Sequence, residues 1–262
     1  HPETAMIYSD EDLIDENGRR SAPKFKPDWS PDLFYSLNLI THLSAYRTDL
    51  LREVGMFRVG FEGSHDYDLA LRVTEKIDER QIRHIPKILY HWRAISGSVA
   101  LDPNEKPYAH ERARSAIREH MERTGAQAEV TKGYFTLHRV KYHLPETTKV
   151  SFIFGGDESS AAAILKKAGH SNIEIVIIDN GPGSHAERLN TAAKKASGGV
   201  LVFFKSGILP LSDNWLREMA SLAVQKGIGA VGTKLLYRDG SIHHGGIILG
   251  INGLVGIAER GL

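Results

Sequence analysis

Three short apolar runs, Val150–Phe154, Ile173–Ile178 and Val200–Phe204, constrain most strongly what this chain can fold into. Only Ser151 and Glu174 interrupt them, so all three read as strands, the first of the buried type. The Ala-rich stretch reaching to about Ala168 and the segment from Ser184 to Ala196 read as the intervening helices. Such strand–helix alternation predicts a parallel α/β sheet whose ligand edge lies at the strand C-termini. Asp179 stands at one of these ends, where an acid either hydrogen-bonds a nucleobase or ribose or closes an Asx-turn. The 262 residues suffice for one large domain or two small ones. The linker-like Pro145-Glu146-Thr147-Thr148 sets the expected division at 1–145 and 146–262.

The first half carries a different signal. Met6-Ile7 leads into Tyr8-Ser9-Asp10-Glu11-Asp12. Three adjacent carboxylates repel one another, so a solvated turn or a shared cation at a strand end is expected. Mg²⁺ and Mn²⁺ take oxygen ligands and leave room for substrate phosphates. Asp15-Glu16-Asn17-Gly18 is a turn signal, and Pro23, Pro27 and Pro31 exclude a helix before Pro31, with Ser30 placed to cap one there. Leu39 to Tyr46 reads as a strand, and Arg47 to Val54 as a short helix ended by Gly55. Tyr67, Ala70 and Leu71 have helical spacing just after a glycine loop, which puts Asp66 near a helix N-terminus. There a carboxylate is either a cap or a general base at the lip of a cleft. Ile82 to Trp92 reads as a strand with Pro86 marking an edge or bulge. His91 at its end is a structural imidazole or a ligand, and the planar fork of Arg93 suits a phosphate. Pro107 to Arg123 is an amphipathic helix ended by Gly125.

Four segments occur in order: Tyr8-Ser9-Asp10-Glu11-Asp12, Phe25-Lys26-Pro27-Asp28-Trp29-Ser30, the run from Gly63 to Arg72, and Leu89-Tyr90-His91-Trp92-Arg93. Together, over roughly residues 6 to 100, they resemble the acceptor-side half of a family 2 glycosyltransferase of the bacterial O-antigen and cell-surface polysaccharide type. The resemblance implies a GT-A-type, Rossmann-like mixed sheet flanked by helices. It also implies inverting, metal-dependent transfer from a nucleotide-diphospho-sugar to a glycan or lipid-linked glycan acceptor. Asp10 and Asp12 match the family's metal- and diphosphate-binding Asp-x-Asp, with Mn²⁺ or Mg²⁺ as the ion. Asp66 matches the catalytic base, and His91 falls where some relatives place a further metal or diphosphate contact. The Gln-x-x-Arg-Trp motif of processive members is absent.

The second half resembles the nucleotide-binding side of the same fold, through the strand at Val150, Val176-Ile177-Ile178-Asp179-Asn180 and Arg188-Leu189-Asn190. Asp179 corresponds to the residue that commonly reads the nucleobase. The third strand departs from the family: it runs into Phe203-Phe204-Lys205-Ser206-Gly207-Ile208, without carboxylates for a cation. Asp213 is expected to cap the helix after it, and Asp239-Gly240 to turn a hairpin. His243 and His244 point to opposite faces of a strand and read as structural. The order of halves is reversed from a complete GT-A domain, so the chain is expected to hold two partial GT-A units. Either a tandem enzyme is cut in both domains, or the halves dock into one permuted site. The extension from Lys234 to Gly261 favours the tandem, with further transferase domains in a longer chain as partners. The alternative function is a non-catalytic transferase-like binding or scaffold module.

Near-balanced charge, 33 basic against 32 acidic residues, offers no case for nucleic acid. The absence of cysteine excludes disulfides and thiolate metal sites. No apolar run approaches the roughly 18 residues of a membrane span, so the expected location is cytoplasmic, or peripheral at the inner face of the membrane.

Overall fold

The computed structural model describes residues 2–95, 107–249 and 255–258, an α/β chain that divides between Lys141 and Tyr142 into two units. The expected extension from Lys234 to Gly261 lies partly outside the described residues. The first unit runs β1 (Met6–Ile14), β2 (Arg20–Lys24), α1 (Pro31–Ser36), β3 (Ser44–Tyr46), α2 (Thr48–Glu53), α3 (His65–Thr74), β4 (Ile82–Arg93), α4 (Pro107–Thr124), β5 (Ala128–Lys132) and β6 (His138–Tyr142), the last ending across the division.

β1 organises this unit. Its first residues pair antiparallel with β3 and its last with β2, while β4 runs parallel along its other side. The β1–β2 connection is the expected turn: Asp15 Oδ1 accepts from the Asn17 and Arg19 amides, and Gly18 takes φ 77°. The three acids do not lie in a solvated turn at a strand end. They occupy the middle of β1, and Asp10, Glu11 and Asp12 are each 3% exposed. Buried charge of this density persists only where partners meet each carboxylate.

The strand expected over Leu39–Tyr46 forms only at Ser44–Tyr46, because the residues before it turn aside to reach β1 and Asp66 with polar groups. Ser30 precedes α1 without a side-chain cap bond, while Pro31 supplies the helix start. α3 is buried on nearly every side from Tyr67 to Val73, so it is an internal helix. Its Tyr67 ring meets Phe34 edge-on at 5.0 Å, and its hydroxyl donates to the Phe34 carbonyl. α4 buries Ala113, Ala116, Ile117 and Met121, the expected face, and ends at Gly125 with φ 74°.

The second unit continues with β7 (Val150–Phe154), α5 (Glu158–Leu165), β8 (Ile173–Ile177), α6 (His185–Lys195), β9 (Val200–Phe204), α7 (Trp215–Ala223), β10 (Leu235–Leu236), β11 (Ile242–His244), β12 (Ile247–Leu249) and β13 (Val255–Ile257). β7, fully buried, sits between β8 and β9 in an all-parallel sheet, as its unbroken apolar run requires. Phe152, Phe154, Phe204 and Trp215 stack into the core between this sheet and α7. Ser184 and Glu187 form a reciprocal capping box at the start of α6. The residue before α7 is Asn214, in the left-handed region; Asp213, expected as the cap, instead pairs with Lys167 at 3.2 Å. β10 and β11 form the hairpin expected around Asp239-Gly240.

Candidate functional site

Two irregularities in the β1–β4 ladder determine what faces the acids. Tyr8 lies opposite His84 and Ser9 opposite Ile85, but Asp10 lies opposite Ile88 and Glu11 opposite Tyr90. Pro86 and Lys87 bulge out of the first step and Leu89 out of the second; proline cannot donate to the ladder, and the bulge falls where it stands. The single-residue bulge reverses the alternation of β4, so that His91, and not Tyr90, shares a face with Asp12. On this face His84 Nε2 lies 2.7 Å from Asp10 Oδ1, and His91 Nδ1 lies 2.5 Å from Asp12 Oδ1. Tyr8 stacks on His84 at 4.9 Å, fixing its plane. The Lys26 amide donates to Asp10 Oδ1 at 2.9 Å, and Arg20 Nε donates to Asp12 Oδ2 at 2.6 Å. Burial works against ionisation of Asp12, but the bonds from His91 and Arg20 outweigh it and hold its carboxyl below the usual range.

Glu11 points to the other face. Its Oε2 receives both the His42 amide, at 2.5 Å, and His42 Nδ1, at 3.0 Å, while Lys24 Nζ reaches Oε1 at 3.1 Å. Burial opposes its charge, yet the two His42 bonds and the nearby Lys26 and Lys24 hold its pKa down at about 2. Lys26 Nζ donates to the carbonyls of Thr41, at 2.5 Å, and His42, at 2.9 Å.

That connecting segment also carries the partners of Asp66. Asn38 Nδ2 donates to Asp66 Oδ2 at 3.0 Å, and Thr41 Oγ1 approaches the same oxygen at 3.4 Å. Asp66 is the second residue of α3 and half-buried; Ser64 takes the cap position. The simple capping role is therefore not the one its side chain performs. Oδ1 of Asp66 has no hydrogen-bond partner among the described residues. The first unit thus joins Asp10, Glu11 and Asp66 through one polar segment, 38–43, and Lys26 beneath it. His84, His42, Lys26 and Arg20 were not singled out from the sequence. Pro86 inside a strand was the one local signal that the ladder, and hence His91, would be displaced.

Among the described residues, no group of three or more His, Cys, Asp and Glu side chains is arranged to hold a metal ion. A cation carried in on a diphosphate needs only one or two protein ligands, the rest being phosphate oxygens and water. Asp12 Oδ1 and His91 Nδ1 share a hydrogen bond, which they would have to exchange for the cation in order to ligate such an ion together. Arg93 lies opposite Ile14, on the face that His91 and Asp12 share, and its side chain is exposed.

In the second unit Asp179 follows β8 and is exposed. Its Oδ1 accepts from the Gly181 amide at 3.3 Å, an Asx-turn, and its Oδ2 lies 3.5 Å from Lys195 Nζ. Lys205 follows β9, also exposed, at the C-terminal edge of the parallel sheet. No helix among the described residues is long and apolar enough to cross a membrane.

No family model matches the chain. Over 98% of its length it is 36% identical to an uncharacterised protein, y4gI, of Sinorhizobium fredii. Over 97% of its length it is 33% identical to the O-antigen biosynthesis protein RfbC of Myxococcus xanthus. The chain spans 32% of the first relative and 22% of the second.

Proposed function

We propose that this chain is part of a sugar transferase of surface polysaccharide synthesis, with a GT-A-type first unit that carries the chemistry and a nucleotide-type second unit. The observation that carries the reading is the Asp66 carboxylate at the start of α3, oriented by Asn38 and Thr41 through Oδ2 while Oδ1 has no partner among the described residues. The similarity of nearly the whole chain to an O-antigen biosynthesis protein supports the polysaccharide context.

In this reading the acceptor is a glycan or lipid-linked glycan and the donor a nucleotide-diphospho-sugar. Asp66 Oδ1 takes the proton of an acceptor hydroxyl as that oxygen attacks the anomeric carbon. The bond from that carbon to the diphosphate breaks on the opposite face, which inverts the centre. Asn38 and Thr41 keep Asp66 turned towards the hydroxyl. Asp12 and His91, with Asp10 beside them, would hold Mn²⁺ or Mg²⁺, an ion that neutralises charge on a departing diphosphate. Arg20 and Arg93 offer planar donors to phosphate oxygens. Asp179 contacts the base or ribose of a nucleotide in the second unit. The matching location is cytoplasmic, or peripheral at the inner face of the membrane.

A second reading, a non-catalytic binding module, is favoured for the second unit alone by Lys205-Ser206-Gly207, which has no carboxylate after β9. The test is calorimetric titration of UDP, GDP and dTDP with and without Mn²⁺. Metal-tightened binding that disappears in Asp12→Ala, with the melting curve preserved, supports the transferase. Binding that ignores both the metal and Asp12 sinks it in favour of a binding module.

A further inference from the structure

Three exposed apolar segments converge on the start of α3. Phe57 meets His65 edge-on at 5.2 Å, and a Cβ at Gly63 would come within 3.0 Å of the Tyr108 ring. His138, which directly follows the tip of the β5–β6 hairpin, stacks on Tyr67 at 6.2 Å. Gly63, His65 and Tyr67 bracket Asp66. Around them Val59 is 95% exposed, Tyr134 89%, Phe135 63% and Phe57 59%, and Tyr108 and Leu137 are exposed as well. These side chains project from segments pinned from behind. Arg72 donates to the Met56 carbonyl at 2.7 Å, and Arg58 donates to buried Asp68 at 3.2 Å. The hairpin tip is closed by the Gly133 amide on the Leu137 carbonyl at 2.9 Å and the Leu137 amide on the Tyr134 carbonyl at 3.0 Å. Met56 and Phe135 take φ of 59° and 53°, the left-handed region that bulky side chains resist. Such strain persists only where the surroundings over-determine it, and it gathers at sites of function.

Single exposed apolar residues are ordinary, but a cluster of them marks a contact surface. Side chains almost wholly exposed, as Val59 and Tyr134 are, line no groove; a fluid medium that closes around them buries them best. The hairpin supplies matching charge: Lys132, Arg139 and Lys141 are exposed on it against one carboxylate, Glu129. On the adjoining surface Glu62 accepts from the Gly60 amide, and Glu111 from Arg114 and Arg118. Aromatic tips beside exposed cations suit an interfacial anchor, in which the rings enter the headgroup layer and the cations stay with anionic lipid. We infer that the Phe57–Val59 loop, Tyr108 and the β5–β6 hairpin tip dock this chain on an anionic bilayer, bringing the start of α3 to the lipid–water interface. Asp66 then meets the head group of a lipid-linked acceptor at that interface, a step that alone rests on the transferase reading.

The chain has no cysteine, so Tyr134→Cys, Val59→Cys and, as a control in the second unit, Leu209→Cys each accept one environment-sensitive fluorophore. With vesicles of equal parts phosphatidylcholine and phosphatidylglycerol, emission from the first two is expected to shift to the blue, and from the third to stay unchanged. In co-sedimentation the unlabelled chain is expected to bind vesicles of phosphatidylcholine alone about tenfold more weakly. Phe135→Gly, which suits the left-handed backbone and so keeps the fold, is expected to lower affinity for the anionic vesicles about tenfold. Leu209→Ser with Leu211→Ser, exposed leucines of the second unit, leaves it unchanged. Affinity that survives Phe135→Gly, labels in the two loops that do not move, or an equal loss in the leucine variant overturns the inference. So does a dimer in solution that Phe135→Gly disperses while vesicles stay unbound, since the surface then belongs to a second copy of the chain. No nucleotide or metal enters these measurements. Their failure leaves the transferase reading standing, and failure of nucleotides to bind leaves the docking standing.

Discussion

The amide of Lys26 holds Asp10 at 2.9 Å, while the ammonium of the same residue holds the Thr41 and His42 carbonyls. One residue therefore supports two parts of the site by chemically separate means. Lys26→Met removes the second and keeps the first, since the amide survives any substitution except proline. Two carbonyls lose their donor, at a cost of about 1–3 kcal/mol. Hydrogen exchange is expected to quicken across residues 38–43 and to stay unchanged along β1 apart from Ser9, whose amide donates to the Leu43 carbonyl. Equal acceleration in both would show that Lys26 has no selective hold on the segment.

Behind α3, Asp68 is fully buried and accepts from Arg58 and from Arg72, whose guanidinium also donates to the carbonyls of Val54 and Met56. Burial disfavours its charge, and the two arginines overcome that and keep its carboxyl below the usual range. Asp68→Asn removes the countercharge and strands the nearly buried Arg72. A loss of about 3 kcal/mol is expected in denaturant unfolding of the first unit, the scale for breaking a buried pair from one side. A change within a few tenths of a kcal/mol would show that solvent already reaches this network.

These two networks show where the sequence was readable and where it was not. The apolar runs at Val150, Ile173 and Val200 announced their strands, and β7, β8 and β9 follow them closely, although only central β7 is covered throughout, while Ile175 of β8 and Leu201 and Phe203 of β9 are exposed. Periodicity likewise revealed α4, and the residue types Asp15 and Gly18 their turn. The surroundings of the acids were not legible. Whether Asp12 meets His91 depends on a partner 79 residues away and on bulges at Pro86, Lys87 and Leu89. Local pattern carries no information on such a slip beyond the proline itself. His42 was hidden for a related reason: apolar Leu39 and Ile40 suggested a strand, but both are buried in an irregular segment that polar groups hold.

His138 makes the stability of the first unit sensitive to acid. Burial, and then the charge of Arg114 and the nearby His110, press its pKa from 6.5 down to about 4, with Glu111 acting weakly in the opposite sense. Between those values the unfolded chain binds a proton that the folded chain refuses. Stability is therefore greatest above pH 6.5 and declines as pH falls towards about 4. His138→Phe is expected to flatten that part of the profile, measured as denaturant midpoints from pH 7.5 to pH 4.5. Parallel profiles for the two proteins would mean that His138 titrates freely.

Gly198 sits where β9 is tied to β7. Its amide donates to Ser151 Oγ at 2.8 Å and to Glu174 Oε1 at 3.1 Å, so the approach is too close for a side chain. A Cβ placed there would meet Ser151 Oγ at 2.5 Å, the Ser151 amide nitrogen at 2.7 Å and the Lys149 carbonyl oxygen at 2.8 Å. Two of these are backbone atoms flanking the start of a buried central strand, and they cannot swing away as a side-chain tip would. Gly198→Ala is thus expected to push β9 off β7 and destabilise the second unit by about 1–3 kcal/mol. At Gly199 a Cβ would meet nothing within 4 Å, so Gly199→Ala separates crowding from any general effect of losing a glycine. Thermal unfolding of the two variants should differ sharply, with Gly199→Ala near wild type. Equal melting temperatures would mean that β9 is not held at this distance from β7.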